Sequence, residues 1–156
     1  MSDMGTLMQA KQLINTVIDA EYDTALQAGL AGADRGTFAT EFQAMALYVS
    51  GADNNISSEE IDLMNFLFDL SLTPNNMSSL ISTLSGLHDD FMVRLELPGW
   101  ALFKSVDEFM GNHDATDMYI SAAEMVMNLF SAIDGNTDAK EERYINGFLN
   151  RLRRDR

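Results

Sequence analysis

Apolar residues along this chain recur at three- and four-residue spacings and strict alternation is scarce, so the pattern predicts helices and no sheet. From Asp3 to about Gly29, Leu7, Ala10, Ile14, Val17, Ile18, Ala25 and Leu26 form one stripe, which the glycine-containing stretch Gly29 to Gly36 breaks. A second helix, Thr37 to Ser50, carries Phe38, Phe42, Met45, Ala46 and Val49 on one face. A third spans Ser58 to about Leu70. Thr73-Pro74 is a helix start, with threonine as N-cap and proline in the tolerated first position, and that helix runs through Met77, Leu80, Ile81 and Leu84 to Gly86. Between His88 and Gly99 the pattern is ambiguous: Phe91 to Leu95 fits a helical turn or a short extended piece. Further helices are expected over Trp100 to Met110, Thr116 to Ile133 and Ala139 to Arg153, the last with Tyr144, Phe148 and Leu152 in a row beside Ile145 and Leu149.

Within this pattern one phrase occurs twice. Asp53-Asn54-Asn55-Ile56-Ser57-Ser58-Glu59-Glu60 returns as Asp134-Gly135-Asn136-Thr137-Asp138-Ala139-Lys140-Glu141, each residue 81 positions on. The register holds in the flanks, where Phe38, Phe42, Met45, Ala46 and Val49 fall on Tyr119, Ala123, Val126, Met127 and Phe130, and Met64, Asn65 and Leu67 fall on Ile145, Asn146 and Phe148. The expected architecture is therefore all-α, about seven helices in a single domain over residues 1–156. Two repeated helix–acidic turn–helix units lie at about 37–70 and 118–153.

The charge narrows the function. A formal charge of −14 and a pI near 4.2 make phosphate backbones and anionic lipid poor partners, and favour cations or basic protein surfaces. Six of the ten basic residues, Lys140, Arg143, Arg151, Arg153, Arg154 and Arg156, fall in the last seventeen positions. They suit either cations complementing the carbonyl end of a final helix or a basic docking tail. The absence of cysteine excludes disulfides, thiolate ligation and thiol nucleophiles and fits a reducing cytoplasm. No apolar run approaches the roughly 20 residues of a membrane span, and Met1-Ser2-Asp3-Met4 does not start a signal peptide. The expectation is a soluble, cytoplasmic protein that neither binds nucleic acid nor inserts in a membrane.

The acidic turns admit two chemistries. Each resembles the second half of an EF-hand loop, in which oxygen ligands stand at positions 5, 7, 9 and 12. Asp53, Asn55, Ser57 and Glu60 take those places in the first turn, and Asp134, Asn136, Asp138 and Glu141 in the second. Positions 1 and 3 are Val49 and Gly51, or Phe130 and Ala132, which have no ligating side chain. A Ca²⁺ ion, needing about 6 to 8 oxygens, would be held weakly with water, or by two turns pooling their ligands. Alternatively, Ser57-x-x-Glu60 and Asp138-x-x-Glu141 are capping boxes that satisfy the free amides of a helix start, with Glu59 and Glu142 facing solvent.

At these residues the chain resembles the tellurite-resistance TerB-like family. The shared phrase is an apolar helix, Ala-Asp-Gly-x-Ile-Ser-x-x-Glu, and another apolar helix, here Ala52 to Glu60 and again Ile133 to Glu141. Asn54 stands where glycine is usual and Thr137 where an aliphatic residue is usual. The resemblance implies an all-α, duplicated, acidic protein associated with Ca²⁺-type metal binding and stress-response assemblies, with Asp53, Glu60, Asp134 and Glu141 as candidate ligands. Tellurite chemistry itself lacks a thiol to carry it.

Other motifs add little. His88-Asp89-Asp90 and His113-Asp114 could contribute to a transition-metal site or stand as exposed loop residues. No Ser-His-Asp arrangement, nucleophile elbow, phosphate loop or Glu-x-x-His pair is legible, so the chain is expected not to be an enzyme. Eleven methionines, Met118, Met125 and Met127 among them, suit core packing or an adaptable groove. Trp100, after Pro98-Gly99, is expected as a core anchor. The leading function is a non-enzymatic domain that binds a divalent cation through its turns and docks a protein partner. The alternative is an ion-independent interaction module whose turns are caps.

Overall fold

The structure is a computed structural model that describes residues 4–29, 34–50, 57–133 and 139–156. Seven α-helices occupy the described residues: α1 Met4–Gln27, α2 Arg35–Ser50, α3 Ser58–Phe68, α4 Pro74–Ser85, α5 Pro98–Met110, α6 Asp114–Ala132 and α7 Ala139–Asp155. One π-helical turn, Asp89–Val93, stands between α4 and α5, and no strand occurs among the described residues. The ambiguous stretch is thus helical as far as Val93, where the Arg94 amide reaches back five residues to the Asp89 carbonyl at 2.8 Å, and non-helical over Leu95 to Leu97. None of the described helices is long and apolar enough to cross a membrane.

The organising element is α6, which packs against α1, α2, α5 and α7. Around its Tyr119 gather Phe42 of α2 and Trp100 and Phe103 of α5, with ring centroids 5.1, 5.2 and 6.1 Å away. All four rings are buried, and each removes an aromatic side chain's worth of apolar surface from water, roughly 1.5–3 kcal/mol apiece. Trp100 is the core anchor expected of it.

The residues paired by the 81-residue offset are mostly buried together: Phe38, Phe42, Met45, Ala46 and Val49 in α2, and Tyr119, Ala123, Val126, Met127 and Phe130 in α6. Helices α3 and α7 also begin at equivalent positions, Ser58 and Ala139. Their packing differs, however, because α7 lies along α6 whereas α3 lies chiefly against α1.

Two apolar expectations are corrected. Leu26 is exposed and Leu7 half-buried, because the face of α1 turned to the core runs through Ala10, Ile14, Val17, Ile18, Glu21 and Ala25. In α7 the buried set is Ile145, Phe148, Leu149 and Leu152; Tyr144 stands at the rim. Five methionines (Met45, Met64, Met77, Met92 and Met127) are core residues, and Met118 and Met125 pack at its edge. Part of the arginine-rich end is drawn into the fold, while Arg143 and Arg154 are exposed. Arg151 donates to the carbonyls of Met92 and Val93 at the end of the π turn, Arg156 to Asp117, and Arg153 stands 3.6 Å from Glu124.

Helix starts divide into two kinds. Three are capped locally: Asp34 Oδ1 accepts from the Thr37 amide at 2.9 Å, Ser57 Oγ from the Glu60 amide at 3.2 Å, and Thr73 Oγ1 from the Asn76 amide at 3.3 Å. Helices α5 and α6 have no side-chain cap from Leu97 or His113. Carboxylates from other helices serve instead. Asp107 of α5 accepts from the Ala115 amide (2.8 Å), the Thr116 amide (2.9 Å) and the Thr116 hydroxyl (2.5 Å) at the start of α6. Gly111, in the left-handed region at φ 73°, turns the chain between them.

Although burial pushes the Asp107 carboxyl up, hydrogen bonds from Thr116 and Ala115 outweigh it and hold the group below the usual aspartate range. Its contribution to stability is therefore present above the unfolded-state pKa and lost as pH falls through the lower folded value. Asp107→Ala should cost about 1–2 kcal/mol at neutral pH, the scale of a lost N-cap. Denaturant unfolding with an unchanged slope checks this, and the gap to the parent should close in strong acid.

Candidate functional site

The eight residues proposed as cation ligands are only partly in view. Asp53, Asn55, Asp134, Asn136 and Asp138 lie outside the described residues. Ser57, Glu60 and Glu141 are described. Ser57 is the N-cap of α3, as the capping-box spacing predicts. Glu60, three residues on, is turned inward and only 6% exposed. Glu141, in the first turn of α7, is half-buried, and its Oε2 accepts from the Ser131 hydroxyl of α6 at 2.7 Å. Glu59 and Glu142 face solvent.

His88 stands edge-on to the Tyr48 ring at 4.7 Å, and His113 is an exposed residue just before α6. Among the described residues no three His, Asp or Glu side chains are grouped so as to hold a metal ion.

The structure brings together a different acidic pair. Glu21 of α1 and Glu41 of α2 are both completely buried. Glu41 lies at the head of α5: its Oε2 accepts from the Gly99 amide at 2.8 Å, with the Trp100 amide contributing, and its Oε1 accepts from the Tyr119 hydroxyl at 2.7 Å. It is the cap that Leu97 does not supply, set inside the core, where the amides and positive end of α5 favour a negative charge. Among the described residues no N–H or O–H donor reaches either oxygen of Glu21. A Cβ on Gly99 would stand 1.8 Å from Glu21 Oε2 and 2.9 Å from Glu41 Oε2, so both carboxyl groups converge on the face that this glycine leaves open.

Two ionised carboxylates cannot share such a place, because each loses its hydration and repels the other. No lysine, arginine or histidine among the described residues forms an ion pair with either. Burial, reinforced by the charge of Glu41, pushes the Glu21 carboxyl far above the usual glutamate range. Glu41 is also raised by burial, less so because Tyr119 and the amides of Gly99 and Trp100 stabilise its charge. Tyr119 is held protonated by its own burial and by the two neighbouring carboxyls, so it remains a donor. The arrangement is a carboxylic acid at Glu21 beside a hydrogen-bonded Glu41 carboxyl that burial raises to about 7.

Helical register contains a signal for this pair. Glu21 is three residues from Ile18 and four from Val17 and Ala25, and Glu41 is three from Phe38. Each thus interrupts an apolar face instead of lying opposite it. Their meeting at Gly99 depends on tertiary packing and has no local signature.

No family model, curated protein or solved structure matches the chain.

Replacing Gly99 by alanine should destabilise the fold by about 1–3 kcal/mol, the range for overpacking a filled core. The added methyl meets the completely buried Glu21 carboxyl, which must shift, and that outweighs alanine's better helix propensity. With Glu21→Ala present, the same change should cost at least about 1 kcal/mol less. A double-mutant cycle by denaturant unfolding measures that coupling, and strict additivity would contradict the close approach.

Proposed function

We propose that this chain is a non-enzymatic, acidic helical domain of TerB-like type that takes up divalent cations, Ca²⁺ foremost, at its two acidic turns. The observation that carries this reading is the inward placement of Glu60 and Glu141, the glutamates in the first turns of α3 and α7. A glutamate serving only as the third residue of a cap can stay in water. Glu60 is instead buried and Glu141 is tied to the helix before it.

Each closes a phrase rich in oxygen ligands, Asp53, Asn55 and Ser57 in one case, Asp134, Asn136 and Asp138 in the other. The physical role of the ion follows from the charge of −14: a cation offsets carboxylate repulsion and pins the turn between two helices. Such pinning would tune docking to a protein partner in the cytoplasm, within a stress-response or TerB-associated assembly.

One observation favours a second reading, an ion-independent interaction module. Phe109 is 89% exposed, and Met110 beside it is also exposed at the end of α5, an unusual site for adjacent large apolar residues. On that reading the turns are caps and the α5 tip meets the partner.

Calorimetric titration with Ca²⁺ at moderate salt separates the two. The first reading expects saturable binding that Asp53→Asn/Asp134→Asn loses, with a melting temperature that rises on adding calcium in the parent alone. No heat and an unchanged melting temperature in both proteins would leave the turns as caps.

A further inference from the structure

We propose that Glu21 and Glu41 form a proton-held latch, in which one proton on the Glu21 carboxyl clamps α1 against the head of α5, and whose loss as pH rises opens the interface over Trp100. The ligand of this site is the proton. Three independent features of the geometry assign it. Glu41 is engaged on both oxygens by donors, which favour its charged form, whereas Glu21 meets no donor among the described residues. Both groups are completely buried and face the open side of Gly99, so they lie close enough to interact. A proton on Glu21, directed at Glu41, turns this repulsive contact into a charge-assisted hydrogen bond.

The groups facing Glu21 can be named element by element. From α2 it is Glu41, from α6 the Tyr119 hydroxyl, and from α5 the open face of Gly99, whose amide is taken by Glu41. The described ion pair between α1 and the residue that ends α3, Lys11 with Asp69, is made in the first half of α1, away from the latch.

When the Glu21 O–H bond breaks, the proton passes to solvent base and two charges remain where no described lysine, arginine or histidine pairs with them. Glu41 is held by three donors and Glu21 by none, so Glu21 is the group that leaves. It carries the last turns of α1 with it and uncovers the aromatic cluster around Tyr119.

The sign follows from linkage. A carboxyl whose folded pKa is raised contributes stability that is complete below its unfolded value, 4.5 for glutamate. That stability is lost progressively as pH rises toward the folded value. Each pH unit in the window shifts the equilibrium by up to about tenfold per proton.

Trp100 is the single tryptophan of the chain and is completely buried beside Gly99; its indole N–H donates to Asp155, so the comparison with E21Q separates the latch from that contact. The full chain would be titrated from acid to alkaline pH in chelator and moderate salt, with acrylamide quenching at each point, beside Glu21→Gln, whose amide keeps a donor toward Glu41 without an ionisable group. The latch predicts a red shift and a several-fold rise in quenching at alkaline pH in the parent, with neither in E21Q. A spectrum flat with pH in the parent, or the same shift in E21Q, would overturn it. Should E21Q not fold, the parent's own titration still decides, since a shift confined to the ordinary glutamate range would also overturn the latch.

Discussion

A hydrogen-bonded carboxyl group set inside the core, at the head of a helix that has no cap of its own, is the constraint on which the rest of this fold depends. The carboxylate of Glu41 belongs to α2, yet it closes the free amides of α5 and takes the hydroxyl proton of Tyr119 from α6. Glu21 brings α1 to the same point. Four helices are therefore registered against one another by a few polar atoms, while the aromatic rings of Phe42, Trp100, Phe103 and Tyr119 surround them. Apolar packing alone tolerates sliding; a buried carboxylate with fixed donors does not, since any slip leaves a charge or an amide unpaired in an apolar medium.

The same solution appears twice in succession. Asp107 near the end of α5 closes the start of α6, just as Glu41 closes the start of α5. In both helices the residue before the first turn, Leu97 or His113, makes no side-chain cap. The elements that end at the surface use serine, threonine and aspartate of their own chain segment, whereas the two that start against the core borrow a carboxylate from a neighbour. The C-terminal arginines extend this economy of ends: Arg151 closes the carbonyls of the π turn.

This division explains what was legible in the sequence. Helical spacing located all seven helices, and the Ser57 and Thr73 caps followed from residue type and position, because those interactions span three or four residues. Most of the paired apolar positions of α2 and α6 were legible for the same reason. The Glu21–Glu41–Gly99 cluster was not, because its partners are 58 positions apart at the Gly99–Glu41 bond and 78 at the Tyr119–Glu41 bond. What the sequence does contain is a glutamate on each buried stripe, which states that something must neutralise it without saying what. Leu26 and Tyr144 were misplaced by the complementary error: a residue near a stripe was counted in it, although the core face had already turned past it.

Surface and interior then pose one electrostatic problem at two dielectric constants. Outside, a large negative charge is tempered by water, salt and, on the function proposed above, divalent cations at the turns. Inside, neither salt nor water screens the pair, and a proton is the smallest cation that fits. The most direct measurement of that claim is a pH titration of carbon-13-labelled glutamate side chains by carboxyl NMR, with the Glu21 resonance assigned through E21Q. This one carboxyl should keep the chemical shift of a protonated acid through neutral pH. A Glu21 resonance that ionises with the others would contradict it.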